Sequence, residues 1–548
     1  MELKLREYMG RPDGATEDLE RFIDLGYDGK VDFHSLTPRV IVGRKGSGKS
    51  LGIRKFFQSS QSDPTRFAVE ISNRAPNLDG MVHFSVTMPH RMRTNSWQSV
   101  WEYSILLCAI THVLYDENYG SKFISAEKRT EYKDEIEYEY GNCLLGLRNA
   151  TSVYEIVNII VRYFKTYQEY ADFLYSPPNV NFRSICNRIL RSSANICIYL
   201  DSLDDEMRRA PSIMTDITRA LFYTVIKGAR DTGPNATLHT LITMRDVVFS
   251  TIMSSDHSDR FLDTNYVLFL FWNPKKSRTF LNKKIVQTQQ SLKISEPSRW
   301  TKAVDDLPSL LGFSEVRNEA KETNENVTDY FLRHTNFVPR NTVRFGNRVY
   351  GEIEQNGGID EPRFMQIVSD ISKEIADALL TAASAYLVAS NYDDDISYLV
   401  DLEEDFREYL SKGAVSGRMV DDVIEALQSN LTDGFKEPLK KFVKFIGKDV
   451  FPRSDLQAAI DEFTAQHKDY NSMVQNFNLN RLENILWIQG LIGIRSNGST
   501  GDKFYYFSDT HEQTVLPMDA DEYVFFPGLN EVCKLDITKG RPVGPRIK

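Results

Sequence analysis

The sequence predicts an α/β protein: a three-layer domain on a parallel sheet carries a large helical insertion, and an α-helical lid and a C-terminal winged-helix-like region follow. Three observations predict it. Five short apolar runs have the β-branched character of buried strands, with helix-forming segments between them. A glycine-rich loop joins the first run to a helix. Two long helix-periodic stretches, "SWQSVWEYSILLCAITHVLY" and "SVYEIVNIIVRYFKTYQEYADFLY", lie between the second run and the third.

The totals set the class. At 548 residues the chain is too long for one core, so two to four domains are expected. A hydrophobic share of 41% with 26% charged residues describes a soluble globular chain. Its formal charge of -10 argues against a whole-molecule polyanion binder and leaves room for a local basic groove. No secretory leader is read at the start, and no uncharged run reaches the roughly 18 residues a membrane span needs, so a cytoplasmic protein is expected. The five cysteines stand singly without a CxxC pair, and the nine histidines form no HExxH, so neither a disulfide framework nor a zinc site is expected.

The first strand is "RVIV", ending before Gly43. From Gly43 to Ser50 the sequence GRKGSGKS fills every fixed position of GxxxxGK[ST], and "SLGIRKFF" then starts a helix. Gly43, Gly46 and Gly48 allow backbone N–H groups to turn inward around a phosphate, and the helix adds the positive end of its dipole at the same point. Lys45, Ser47 and Leu51 complete the loop and first turn. Lys49 is expected on the β- and γ-phosphates, and Ser50 on Mg²⁺.

The second strand is "RFAVEIS", and the third is "ICIYL", ending at Asp201. Magnesium needs a carboxylate on a neighbouring buried strand, and the carboxyl end of a parallel strand faces the crevice where α/β sheets bind ligands. Asp201 is therefore read as a metal ligand. Asp204 or Asp205 is read as orienting the attacking water, with an acidic helix start as the alternative for both. The fourth strand, "LHTLITMRD", closes with Arg245 at the same sheet end, where a guanidinium suits a γ-phosphate. "YVLFLFW" is the fifth.

Taken together, "GRKGSGKS", "IYLDSLDD" and "LITMRD" resemble the STAND and origin-recognition-like branches of the P-loop ATPases, which belong with AAA+ proteins. "LDSLDD" is similar to the "LDGLDE" form of Walker B in the NACHT group. The resemblance implies the magnesium-associated place for Asp201 and the second acidic place for Asp205. "LITMR" is similar to the sensor-1 arginine strand, and "TNFVPRNTVRFGN" resembles the lid segment whose Pro-Arg pair supplies a sensor-2 arginine, here Arg340. "GRPDGATEDLERFID" looks like the amino-terminal lead of free-standing bacterial ATPases of this kind. The resemblance covers residues 1 to about 350. Two departures are the helical insertion and the lack of a motif that singles out Arg230 or Arg260 as an arginine finger.

The expected organisation is a lead segment at 1–37, the ATPase core at 38–285 with the insertion at about 92–190, a helical lid at 286–358, a helical domain at 359–470 and a winged-helix-like domain at 471–548. "WNPKKSRTFLNKKI" holds five cations and is read as a solvated helix face rather than a nucleic-acid contact. Helices are also expected in "ISYLVDLEEDFREYL" and "MVDDVIEALQSNL". Asp393 to Asp395 and Glu403 to Asp405 are read as a solvated acidic face, since no glycine stands where an EF-hand needs it. Near the end, "RLENILWIQGLIGIRSNGSTGDKFYYFSD" orders a helix, a strand, a turn and an aromatic strand like a recognition helix and wing. That helix has one arginine and no lysine, which favours packing against the ATPase or a partner over DNA.

The functional expectation is an ATP-binding and hydrolysing switch or assembly platform that uses Mg²⁺. Its partner is a protein effector or further copies of the chain, and the resemblance adds bacterial anti-phage defence as context. A DNA-associated AAA+ ATPase, such as an origin-recognition-like loader or a transposition regulator, is one alternative, and a non-hydrolysing nucleotide-bound scaffold is another. No NKxD-like guanine reader is present, which leans towards ATP.

Overall fold

The structure, a computed structural model, describes residues 7–25, 31–69, 71, 77–89, 92–144, 152–193, 195–201, 211–232, 237–253, 266–298, 300–301, 304–319, 322–391, 436–466, 479–498, 501–505, 516–517, 520 and 522–538. All five expected strands are present: β1 (Val40–Gly43), β2 (Arg66–Ala68), β3 (Asn195–Leu200), β4 (Leu238–Arg245) and β5 (Val267–Leu270). They form one parallel sheet in the order β2-β3-β4-β1-β5. The central strands β1, β3 and β4 are buried on both sides, as a sheet covered on both faces requires. Their alternation sorts the residues cleanly. Ile41, Cys197, Tyr199 and Leu241 pack with Ile53 and Phe56 of α1 (Lys49–Ser62) on one face, while Val40, Val42, Ile196, Ile198, Ile242 and Met244 join the larger core on the other.

Between β2 and β3 the chain makes α2 (Leu78–Val86), α3 (Arg93–Tyr115), α4 (Glu117–Phe123), α5 (Ala126–Tyr140), α6 (Val153–Tyr163), α7 (Tyr167–Leu174) and α8 (Pro177–Arg191). The helices thus begin at Leu78, earlier than the expected 92. Asn77 starts α2 by accepting the Gly80 N–H at 3.3 Å. Met81, Val82 and Phe84 on this short helix are buried. The central α3 packs against α9 (Pro211–Thr232), which follows β3 and covers the sheet opposite α1. Three layers result.

After β4 come α10 (Asp246–Met253) and, past β5, α11 (Pro274–Ser295). Asn273 caps α11 by accepting the Lys276 N–H at 2.8 Å, Pro274 opens it, and the helix runs unbroken across the expected boundary at 285/286. Its basic run is less solvated than expected. Lys276 donates to the Phe271 carbonyl, Arg278 pairs with Asp329, and Lys284 is buried against Glu17, leaving Lys275 and Lys283 exposed. The lid continues through α12 (Leu307–Leu311), a hairpin of β6 (Glu315–Asn318) and β7 (Thr323–Asn326), α13 (Val327–His334) and α14 (Pro339–Asn356). The hairpin was not expected, because "EVRN" and "TNEN" lack apolar alternation.

A 31-residue helix, α15 (Glu361–Asn391), leads to the last unit. The helices expected at 396–410 and 419–431, and the acidic residues Asp393 to Asp395 and Glu403 to Asp405, lie outside the described residues. The last unit holds α16 (Lys436–Ile446), β8 (Val450–Pro452), α17 (Arg453–Gln466), α18 (Leu479–Ile488), β9 (Ile492–Gly498), β10 (Gly501–Tyr505), β11 (Glu522–Phe525) and α19 (Gly528–Cys533). Its antiparallel sheet has the order β10-β9-β11-β8, so the unit reaches back past the boundary expected at 470/471. No helix among the described residues is long and apolar enough to cross a membrane.

Candidate phosphate-binding cleft

The carboxyl ends of β1 and β4 lie level, with Gly43 opposite Arg245. The loop from Gly43 to Gly48 leaves β1 there and turns into α1. Gly46 has φ +83° and Gly48 φ +105°, the left-handed region that disfavours a side chain. A Cβ on Gly43 would lie 2.6 Å from Ser47 Oγ, and one on Gly46 would lie 2.7 Å from the Cβ of Arg340. Around Gly48 nothing comes within 4 Å, so the loop is tight against protein on one side and open on the other. α1 starts at this open side with no side-chain cap and no acidic residue in its first turn. Its first N–H groups and positive dipole end are thereby left to an anion.

One cleft, with about 930 Å³ of empty space including its mouth, gathers Lys45, Gly46, Ser47, Gly48, Lys49, Ser50, Leu51, Arg245 and Arg340. Lys49 and Arg245 are buried. Lys49 Nζ donates to the carbonyls of Gly43 and Arg44 at 2.9 and 3.1 Å, spanning the loop from inside. Arg340 arrives from the start of α14, where Pro339 sets the first turn. Its N–H donates to the Gly46 carbonyl at 3.2 Å and its Nε to the Pro12 carbonyl at 3.1 Å. The segment expected as a lid therefore touches the loop itself.

Asp201 stands at the tip of β3, with β4 between it and β1, and does not line this cleft. Thr243 of β4 donates its hydroxyl to Asp201 Oδ1 at 2.6 Å, which fixes the carboxylate at the sheet end. Tyr154 of α6 donates its hydroxyl to the Asp201 backbone carbonyl. Asp204, Asp205 and Arg260 lie outside the described residues. Arg230 lies in the last turn of α9 and does not line the cleft.

Several cleft residues belong to no motif that assigns them to the site. Arg11, Pro12, Gly14, Glu17, Arg21, Phe22 and Ile23 form one wall, with Trp272, Phe280 and Lys284 behind them. Trp272 Nε1 donates to the Ser47 carbonyl at 2.9 Å and so props the loop. The wall is tied to three helices. Arg54 of α1 donates to the Gly14 carbonyl at 3.0 Å, and Asn347 of α14 accepts the Met9 N–H at 2.7 Å and donates to the Gly10 carbonyl at 2.9 Å. Lys284 of α11 meets Glu17 at 3.3 Å, both nearly inaccessible. Burial lowers the Lys284 pKa, and the Glu17 carboxylate opposes that shift. The resemblance of the lead segment and the basic run on α11 were the only pointers to this wall.

The cleft's charge is opposite to the molecule's. Among the described residues, Arg11, Arg21, Lys45, Lys49, Arg245, Lys284 and Arg340 face it, against the one carboxylate of Glu17, in a chain whose net charge is -10. Cations converging in a walled cleft focus their field on whatever enters, which suits a compact polyanion. The oxygens of Ser50 and Asp201 are hard donors of the kind magnesium takes, and among the described residues no cluster of three or more His, Cys, Asp or Glu forms a protein cage for a metal. No family model, curated protein or solved structure matches the chain.

Proposed function

We propose that the chain is a P-loop ATPase of the STAND or origin-recognition-like kind, working as a nucleotide-dependent switch or assembly platform for a protein partner. The observation that carries this reading is the loop from Gly43 to Ser50, open only at the uncapped start of α1, with Lys49, Arg245 and Arg340 converging on it. Amides of the loop and first turn would bind phosphate, Lys49 would neutralise it, and Arg245 and Arg340 would meet its outer oxygens. Ser50 and Asp201 would hold magnesium, which when bound neutralises charge on the phosphates. Thr243 orients the Asp201 carboxylate, and Asp205 is the residue proposed to position water. Anti-phage defence stays a context drawn from the resemblance alone.

The DNA-associated alternative gains nothing from the geometry. Leu482, Ile485, Leu486, Trp487 and Ile488 of α18, the helix ordered like a recognition helix but expected to pack against protein, are buried, and α18 packs against α15 and α10. Calorimetry with Mg·ATP and phosphate-release assays on wild type and Asp201→Asn test the proposal. Micromolar or tighter binding by the wild type is expected, together with turnover in the wild type that Asp201→Asn lacks. Absence of nucleotide binding in the wild type would remove it. Turnover that never appears alongside tight binding would leave the scaffold alternative.

A further inference from the structure

We propose that Arg44 and Asp246 are positioning residues that couple occupancy of the phosphate loop to the seating of the C-terminal unit, an inference that rests on the polyphosphate reading of the cleft. Arg44 is the first variable residue of the loop motif. Its side chain turns away from the cleft, and Nη2 donates to the Ile488 carbonyl at the carboxyl end of α18 over a long 3.4 Å. That helix end is closed by Gly490 at φ +71°. The Gly490 N–H reaches the Trp487 carbonyl and the Leu491 N–H the Leu486 carbonyl, each at 2.9 Å, the paired bonds of a Schellman cap. A Cβ on Gly490 would collide with Arg44 Nη2 and lie 2.6 Å from Asn336 Nδ2 of the lid. Loop, lid and C-terminal unit therefore meet at one glycine. A cation at that helix end is favoured by the negative end of the dipole.

Asp246 supplies the opposite charge. It opens α10, which packs on α18, and its Oδ1 accepts the Val247 N–H at 2.9 Å. Its Oδ2 is sealed from solvent with no hydrogen-bond partner among the described residues. Burial raises the Asp246 pKa and lowers that of Arg44, and each charge opposes the other's shift. The link to the ligand lies in the backbone. Lys49 Nζ holds the Arg44 carbonyl, so an ammonium that turns to a phosphate releases the peptide whose side chain holds α18.

Hydrogen exchange on the full chain, with and without Mg²⁺ and a non-hydrolysable ATP analogue, tests this. Arg44→Gln is expected to speed exchange across 485–494 by about tenfold, with Arg44→Lys restoring much of the protection and Asp246→Asn lying between. In the wild type the analogue is expected to change exchange in the same segment, and Arg44→Gln to erase that response. Unchanged exchange in Arg44→Gln overturns the inference. So does a wild type that binds the analogue by calorimetry without any response at 485–494. If the wild type binds no nucleotide, the functional reading falls first and the coupling with it.

Discussion

Two helix ends flank the loop from Gly43 to Gly48, and they are treated in opposite ways. The start of α1 has no side-chain cap, no acidic residue and open space around Gly48, whereas the carboxyl end of α18 is closed by Gly490, its paired backbone bonds and the Arg44 guanidinium. A helix end whose partners come from the protein is part of the scaffold. One whose partners are withheld inside a basic cleft is left open to a ligand. A glycine with positive φ sits at each end, so backbone geometry alone does not tell the two apart. The surroundings do.

The sharpest way to break this contrast is Lys49→Ala. It removes the ammonium from the open end, and affinity for Mg·ATP measured by calorimetry should fall about a hundredfold or more, which is roughly 2.7 kcal/mol. Gly490→Ala attacks the closed end. Left-handed strain and the displaced guanidinium should together lower stability by about 1–3 kcal/mol in denaturant unfolding, while Gly48→Ala shares the strain of a positive φ but meets no side chain, so its stability loss should be the smaller and should come with weakened nucleotide binding.

A smaller effect comes from the joint between lid and α15, where His334 Nδ1 lies 2.9 Å from Ser372 Oγ. Burial, with Arg333 nearby, holds this imidazole well below its usual pKa of 6.5. The unfolded chain takes up a proton there that the folded chain refuses. The associated stability is complete above pH 6.5 and is lost as pH falls from there towards the depressed value. Unfolding midpoints measured between about pH 5 and 7.5 should show that slope, and His334→Gln should flatten it. Least of all, Thr243→Val removes the hydroxyl that donates to Asp201 Oδ1 from β4. A cost of about 1 kcal/mol in stability and a raised magnesium requirement in turnover are expected.

The sheet and its loop were legible because each rests on local pattern. β-branched apolar runs give strands, and GxxxxGKS between a strand and a helix gives the cradle. Arg245 and Arg340 were legible by their place at a strand end and after a proline, and both reach the cleft. The wall formed by Arg11 to Ile23 was not, because it is held by backbone carbonyls and amides paired with side chains such as Asn347, more than three hundred residues away. The anchoring of Arg44 was hidden for a related reason. In the motif it is a variable position, and only the fold brings Ile488 beside it. The β6–β7 hairpin was invisible because its polar strands carry no period.

The hydroxyl of Tyr154 on the carbonyl of Asp201 gives the inserted helices a mechanical meaning. Nearly fifty residues of sequence separate the two, yet this bond joins the bundle to the peptide that bears the carboxylate. A shift of α6 would thus be handed directly to the peptide of that acid, while the rest of the bundle meets the sheet through packing such as that of Phe67 on His112 and Tyr119.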